Sequence, residues 1–158
     1  MVLYFLRRDY DALLEQIQQG QTKMREIGTD IGESCRQSGE TTHDNFPYEE
    51  AIRQQQMAST RTRDLIRVKE HARIVQVTPG PAASIGKVVT YKDTGNGETH
   101  TLKIGSHMTF GSNTDDVVAY NAPLAKIFIG KKAGDECHGK IAGVTHEFLI
   151  LEVSTPTP

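Results

Sequence analysis

The stretch DYDALLEQIQQGQTKMREIGTDIGESCR, residues 9–36, decides the fold. Tyr10, Ile17, Met24 and Ile31 fall seven residues apart, and Leu13 and Ile27 occupy the intervening stripe. Polar residues fill the other faces, so the stretch reads as an amphipathic helix with a narrow, coiled-coil-like seam. At about 1.5 Å per residue it reaches roughly 40 Å. Gly20 and Gly28 either weaken this helix, by about 1 kcal/mol each against Ala, or mark close contact with a partner helix.

A partner follows. Gly39, Asn45 and Pro47 make the segment from Ser38 to Pro47 a turn, with Pro47 acceptable in the first turn of a new helix and Asp44 or Asn45 as its N-cap. From about Tyr48 to Ala72, the residues Ala51, Ala58, Leu65 and Ala72 again fall seven apart, with Ile52 and Ile66 beside them. Small residues facing larger ones permit a close antiparallel pair, and a short turn between helices of matched length makes a hairpin.

Beyond Ile74 the period changes. After the break at Pro79-Gly80-Pro81, residues 85–91 and 99–104 read as strands joined by the turn-rich Asp93-Thr94-Gly95-Asn96-Gly97. Residues 117–120 form another short strand, 123–129 a short helix capped by Gly130, and 136–141 and 146–153 two closing strands. The expected fold is α+β. An N-terminal antiparallel coiled-coil hairpin spans 1–76, a small antiparallel β domain with a short helix spans 77–153, and 154–158 form a disordered tail.

Composition bounds the function. Only 37% of the 158 residues are hydrophobic, which suits a chain with a long, solvated element. A net charge of -2 excludes a domain that holds bare nucleic acid by charge alone. No apolar run is long enough for a bilayer, and Met1 to Leu6 is too short for a signal-peptide core. Cys35 and Cys137 stand far apart, as free thiols in a reducing compartment do, which points to the cytoplasm. Charge is uneven along the hairpin. Asp30, Glu33, Glu40, Asp44, Glu49 and Glu50 surround the turn, while Arg53, Arg61, Arg63, Arg67, Lys69 and Arg73 line the second helix. Such faces are ordinarily solvated. Carboxylates at the end of an arm are also hard oxygen ligands of the kind Mg²⁺ takes one or two at a time, provided another molecule completes the shell. His43, between the acids, titrates near neutrality; Tyr48 suits either stacking on a base or capping the seam.

Three stretches resemble the GreA/GreB transcript-cleavage factors. They are Leu6-Arg7-Arg8-Asp9-Tyr10-Asp11-Ala12-Leu13-Leu14, the turn Gly39-Glu40-Thr41-Thr42-His43-Asp44-Asn45 with Tyr48 and Ala51-Ile52-Arg53 after it, and the segment from Tyr120 to Glu136. The last, beginning Tyr120-Asn121-Ala122-Pro123-Leu124-Ala125-Lys126, is the most specific. The resemblance implies a coiled coil inserted through the secondary channel of RNA polymerase and an FKBP-like domain docked on the channel rim. It makes Glu40 and Asp44 the catalytic, metal-binding pair, sharing Mg²⁺ with the polymerase active site, which then cleaves backtracked RNA near its 3′ end. It makes Asn121 and Pro123 the contacts to the largest subunit, and places Tyr48 and Arg53 near RNA. The implied protein is no stand-alone enzyme, binds no metal stably alone and is a monomer when free. Three departures stand out: three residues separate the acids instead of two, Glu and Asp are exchanged, and Ala122 replaces the usual Ser. They leave open a regulator that occupies the channel without cleaving. An isomerase role, suggested by the FKBP-like resemblance alone, rests on fold analogy.

Overall fold

The structure, a computed structural model, describes residues 1–37, 46–111 and 115–156. In chain order the elements are β1 (Leu3–Leu6), α1 (Arg7–Gln37), α2 (Phe46–His71), β2 (Ala72–Val75), β3 (Val88–Asp93), β4 (Thr99–Gly105), β5 (Val117–Ala119), α3 (Pro123–Phe128), β6 (Glu136–Ile141) and β7 (Val144–Ser154). They form two compact units: residues 11–71, and residues 1–10 together with 72–158.

The first unit is the helical hairpin. Leu13, Ile17 and Ile27 on α1 are buried, as are Thr62 and Leu65 on α2, so the seven-residue stripe is the face the hairpin closes on. Gly20 shows why a glycine sits mid-helix: a Cβ there would overlap the Thr62 hydroxyl. Gly28 is less constrained, since an added Cβ would meet only Gln55, at 3.9 Å.

The second unit is built on a five-stranded sheet of order β5-β4-β3-β7-β6, antiparallel except for the parallel pair β4–β5. Alternate residues face its core: Val89 and Tyr91 from β3, Leu102 and Ile104 from β4, Phe148 and Ile150 from β7. A bulge between Thr90 and Tyr91 shifts the β3–β7 register so that Tyr91 lies opposite Ile150. Helix α3 closes this face with Ala125 and Phe128. The Phe128 ring lies 4.6 Å from Tyr91 and 5.4 Å from Phe148, centroid to centroid. Burying such a ring contributes about 2–3 kcal/mol. The helix ends at Phe128 with Ile129 as its C-cap; Gly130 follows in the left-handed region, at φ +84°, and its N–H donates to the Ala83 carbonyl.

Strand β3 begins three residues later than the sequence reading set it. Gly86, at φ +92°, and Lys87 still belong to the preceding loop. Lys87 is fully buried, and its ammonium donates to the carbonyls of Gly80 and Ala82, fastening the Pro79-Gly80-Pro81 break.

The division between units differs from the expected boundary at residue 76. Strand β1, unforeseen in the sequence, pairs in parallel with β2 in the register Leu3↔Ala72 to Leu6↔Val75. Leu3 and Phe5 are buried while Tyr4 faces outward, the period-two signature of a strand. The opening residues and 72–76 therefore belong with the β domain, and the hairpin unit is 11–71. At the other end, β7 runs one residue past the expected Val153.

Candidate functional site

Glu40, His43 and Asp44 lie outside the described residues, which flank them on both sides. Helix α1 ends at Gln37 with Arg36 in its last turn, and α2 starts at Phe46, with Pro47 second. Phe46 is 75% exposed, a large apolar ring at the start of α2. Tyr48 is half-buried and Glu49 exposed. Glu50 accepts hydrogen bonds from Arg53 Nη2 at 2.7 Å and Nε at 3.0 Å, and from Gln54 Nε2 at 3.0 Å. The Gln54 and Arg53 hydrogen bonds hold the Glu50 carboxyl below its ordinary range. Arg53, expected near RNA, is thus paired with an acid of its own helix. Exposed pairs of this kind hold weakly and exchange readily for another anion. Among the described residues no three His, Cys, Asp or Glu side chains gather as a metal site.

The β domain carries a second surface. Asn121 and Pro123 are neighbours on an exposed face at the start of α3, with Pro123 at its first position. Ala122 is the N-cap residue and makes no side-chain cap bond, because it lacks the oxygen that Ser supplies. The Asn121 amide lies 3.4 Å from His107 Nδ1. Burial pulls the His107 ring below its ordinary pKa, favouring the neutral imidazole, whose unprotonated Nδ1 can accept from Asn121 Nδ2. His107 is held by its backbone N–H, which donates to the Tyr4 carbonyl at 3.0 Å, and by an edge contact to Phe5.

Beside it, Ser106 is completely buried. Its hydroxyl accepts from Leu6 N–H at 2.8 Å and donates to Asp9 Oδ2 at 2.5 Å, tying β1 and the first turn of α1 to the end of β4. The Tyr120 hydroxyl accepts from Tyr4 N–H at 3.2 Å, and the two rings meet edge-on. Tyr4, Val75, Ile85, Tyr120 and Ile129 wall an apolar groove of about 310 Å³ on this unit. Sequence reasoning singled out Asn121 and Pro123 and passed over Ser106, His107 and Tyr4. No local pattern distinguishes a serine that will meet residues far earlier in the chain.

Fold and surfaces together define a two-unit protein: a helical hairpin with acids near its turn, and a β domain with a polar, exposed helix start. Residues 78–155 match the family described as "Transcription elongation factor, GreA/GreB, C-term". The chain is similar to the transcription elongation factor GreA of Pseudomonas aeruginosa, 31% identical over 89% of this chain and 83% of that one. GreA of Thermotoga neapolitana is 27% identical over 94% of each. Solved structures similar to it include the transcription factor Gfh1, with a TM-score of 0.47, 19% identity and 97% of each chain covered. A GreA/GreB factor from Nitrosomonas europaea has a TM-score of 0.40 and 13% identity over 98% of each chain. The chain belongs to the GreA/GreB family of transcription elongation factors.

Proposed function

We propose that the protein binds RNA polymerase, inserts the hairpin tip into the secondary channel and stimulates cleavage of backtracked RNA. The observation that carries this reading is a pair of acids, Glu40 and Asp44, in the segment that joins two long helices, the first of 31 residues. At about 1.5 Å per residue that helix is roughly 45 Å long, enough to carry two carboxylates deep into a larger partner. Family membership supplies the partner, since the relatives are named elongation factors.

Glu40 and Asp44 are hard oxygen donors suited to Mg²⁺ shared with the polymerase. When bound there, the ion would polarise a water and offset charge on the departing oxygen. The tip's own part is to bring two carboxylates to the reacting phosphodiester and to orient the water. Glu50 does not compete for the ion, being engaged by Arg53 and Gln54. Arg53 exchanges that partner for an RNA phosphate, and Tyr48 lies near the RNA end. Asn121 and Pro123 dock on the rim of the largest subunit. The protein acts as a monomer in the cytoplasm; no helix among the described residues is long and apolar enough to cross a membrane.

The test is a stalled, backtracked elongation complex carrying end-labelled RNA. Mg²⁺-dependent shortening that disappears with Asp44→Ala or Glu40→Ala is the expected result. Intact RNA with altered elongation supports the second reading, a channel-occupying regulator, which the three residues between Glu40 and Asp44 favour, because an added residue displaces a carboxylate where little error is tolerated. No effect on the polymerase refutes both.

A further inference from the structure

Two segments of the β domain run side by side away from the parallel β4–β5 pair, in which Gly105 lies opposite Ala119. Ser106 and His107 continue one, Tyr120 and Asn121 the other. Both backbones are fixed by hydrogen bonds. Tyr120 N–H donates to the Gly105 carbonyl at 3.0 Å, Ala122 N–H to the Ala119 carbonyl at 2.9 Å, and His107 N–H to the Tyr4 carbonyl at 3.0 Å. The His107 ring is held edge-on to Phe5, with centroids 6.1 Å apart. What the backbone leaves undecided is which end of the Asn121 amide faces out. An amide carries an acceptor oxygen on one side and a donor nitrogen of nearly equal size on the other, so packing does not choose between them. A polar neighbour does, and here it is His107 Nδ1, 3.4 Å from Asn121 Nδ2.

We propose that His107 is a positioning residue of the docking face: its unprotonated Nδ1 holds the Asn121 amide nitrogen inward, so that Oδ1 is offered outward to a hydrogen-bond donor on RNA polymerase. This rests on the reading of Asn121 as a polymerase contact. A neutral imidazole has one donor and one acceptor nitrogen, so with Nδ1 accepting, the proton sits on Nε2. Protonation makes both nitrogens donors. The ring then attracts Oδ1 instead, the amide turns over, and the face presents an N–H where the partner also brings one. Burial favours the neutral ring and so the outward acceptor. The titratable groups around the ring are Asp9 on α1, which accepts from Ser106 Oγ, and the phenols of Tyr4, Tyr10 and Tyr120. Of these residue types, only histidine ordinarily changes charge between about pH 7.5 and 5.5.

The experiment measures binding of the full chain to RNA polymerase from about pH 7.5 to 5.5, and follows the Asn121 side-chain amide of the free chain by ¹⁵N NMR over the same range. His107→Phe keeps an aromatic ring against Phe5 and removes Nδ1; His107→Gln restores an acceptor that does not titrate. Polymerase titrates as well, so each affinity is read as a ratio to that of His107→Phe. The Asn121 contact is long for a hydrogen bond, which sets the expected advantage of the parent at about threefold at the upper pH, with His107→Gln matching it. Toward the lower pH the parent's advantage vanishes while that of His107→Gln persists, and in the free chain the Asn121 amide resonances move with the ring's titration. Circular dichroism at each pH verifies that the variants are folded. A parent whose pH profile equals that of His107→Phe, or amide resonances indifferent to the ring's titration, would overturn the inference and leave the docking reading standing. A parent that fails to bind polymerase, or an affinity unchanged by Asn121→Ala, would overturn that reading and this inference with it.

Discussion

Replacing Ser106 with alanine removes one hydroxyl from a fully buried position and breaks two hydrogen bonds at once. The bond to the Asp9 carboxylate is charge-assisted, a class that contributes about 1.5–3 kcal/mol. Leu6 N–H is left without its acceptor, which costs about 1–3 kcal/mol when water cannot replace it. Asp9 is half-exposed, so water recovers part of the first loss, and the lower ends of both ranges apply. The expected destabilisation of the β-domain unit is therefore about 2–3 kcal/mol, or on the order of 10 °C in melting temperature for a domain near a hundred residues.

Urea unfolding followed by tyrosine fluorescence measures it selectively. The chain has no Trp, and of its five tyrosines Tyr4, Tyr10, Tyr91 and Tyr120 belong to this unit. Far-ultraviolet circular dichroism, dominated by the two long helices, is expected to report a hairpin transition that moves much less. A cycle with Asp9→Ala isolates the pair: in that background Ser106→Ala costs about 1.5 kcal/mol less than in the parent chain. A loss below about 0.5 kcal/mol, or full additivity of the two substitutions, would refute the assignment of Ser106 as the tie between β1, α1 and β4.

Two further substitutions test the packing and titration arguments. Gly20→Ala is expected to destabilise the hairpin by about 1–2 kcal/mol despite alanine's better helix propensity, because its methyl meets Thr62; adding Thr62→Ala restores or exceeds parent stability in thermal melts, and a stabilising single substitution would show that the helices are free to part. His107 has a depressed pKa in the folded chain, so its neutral form supports stability above its ordinary value near 6.5 and that support is lost as pH falls through the folded value. Acid unfolding between about pH 7 and 5 is expected to be shallower in His107→Gln than in the parent, with the ring's own titration read by NMR; equal slopes would contradict the burial argument.

Much of this architecture is legible in local pattern. The seven-residue spacing of Tyr10, Ile17, Met24 and Ile31 foretells α1, and the buried set is Ile17 from that stripe with Leu13 and Ile27 from the intervening one. Turn residues at 93–97 mark the β3–β4 connection, and Gly130, at positive φ, follows directly on the C-cap of α3. Asn121 and Pro123 were singled out by a contiguous motif, and contiguity keeps them together on one exposed face.

What local pattern misses is pairing across distance. Strand β1 has four residues, too few for alternation to declare itself against the start of α1, and its partner β2 follows both long helices. Lysine is a residue type seldom buried, yet two backbone carbonyls of the loop before Lys87 allow its burial. Ser106 is unremarkable until Leu6 and Asp9 arrive beside it. Sequence by itself determined the two long helices and the order of the strands from β3 onward, because each follows from the periodicity or turn chemistry of adjacent residues. Tertiary structure alone decided where the units divide, which serine is buried and which lysine is buried with it. Those depend on burial and hydrogen bonding between segments that meet only after the chain has closed on itself.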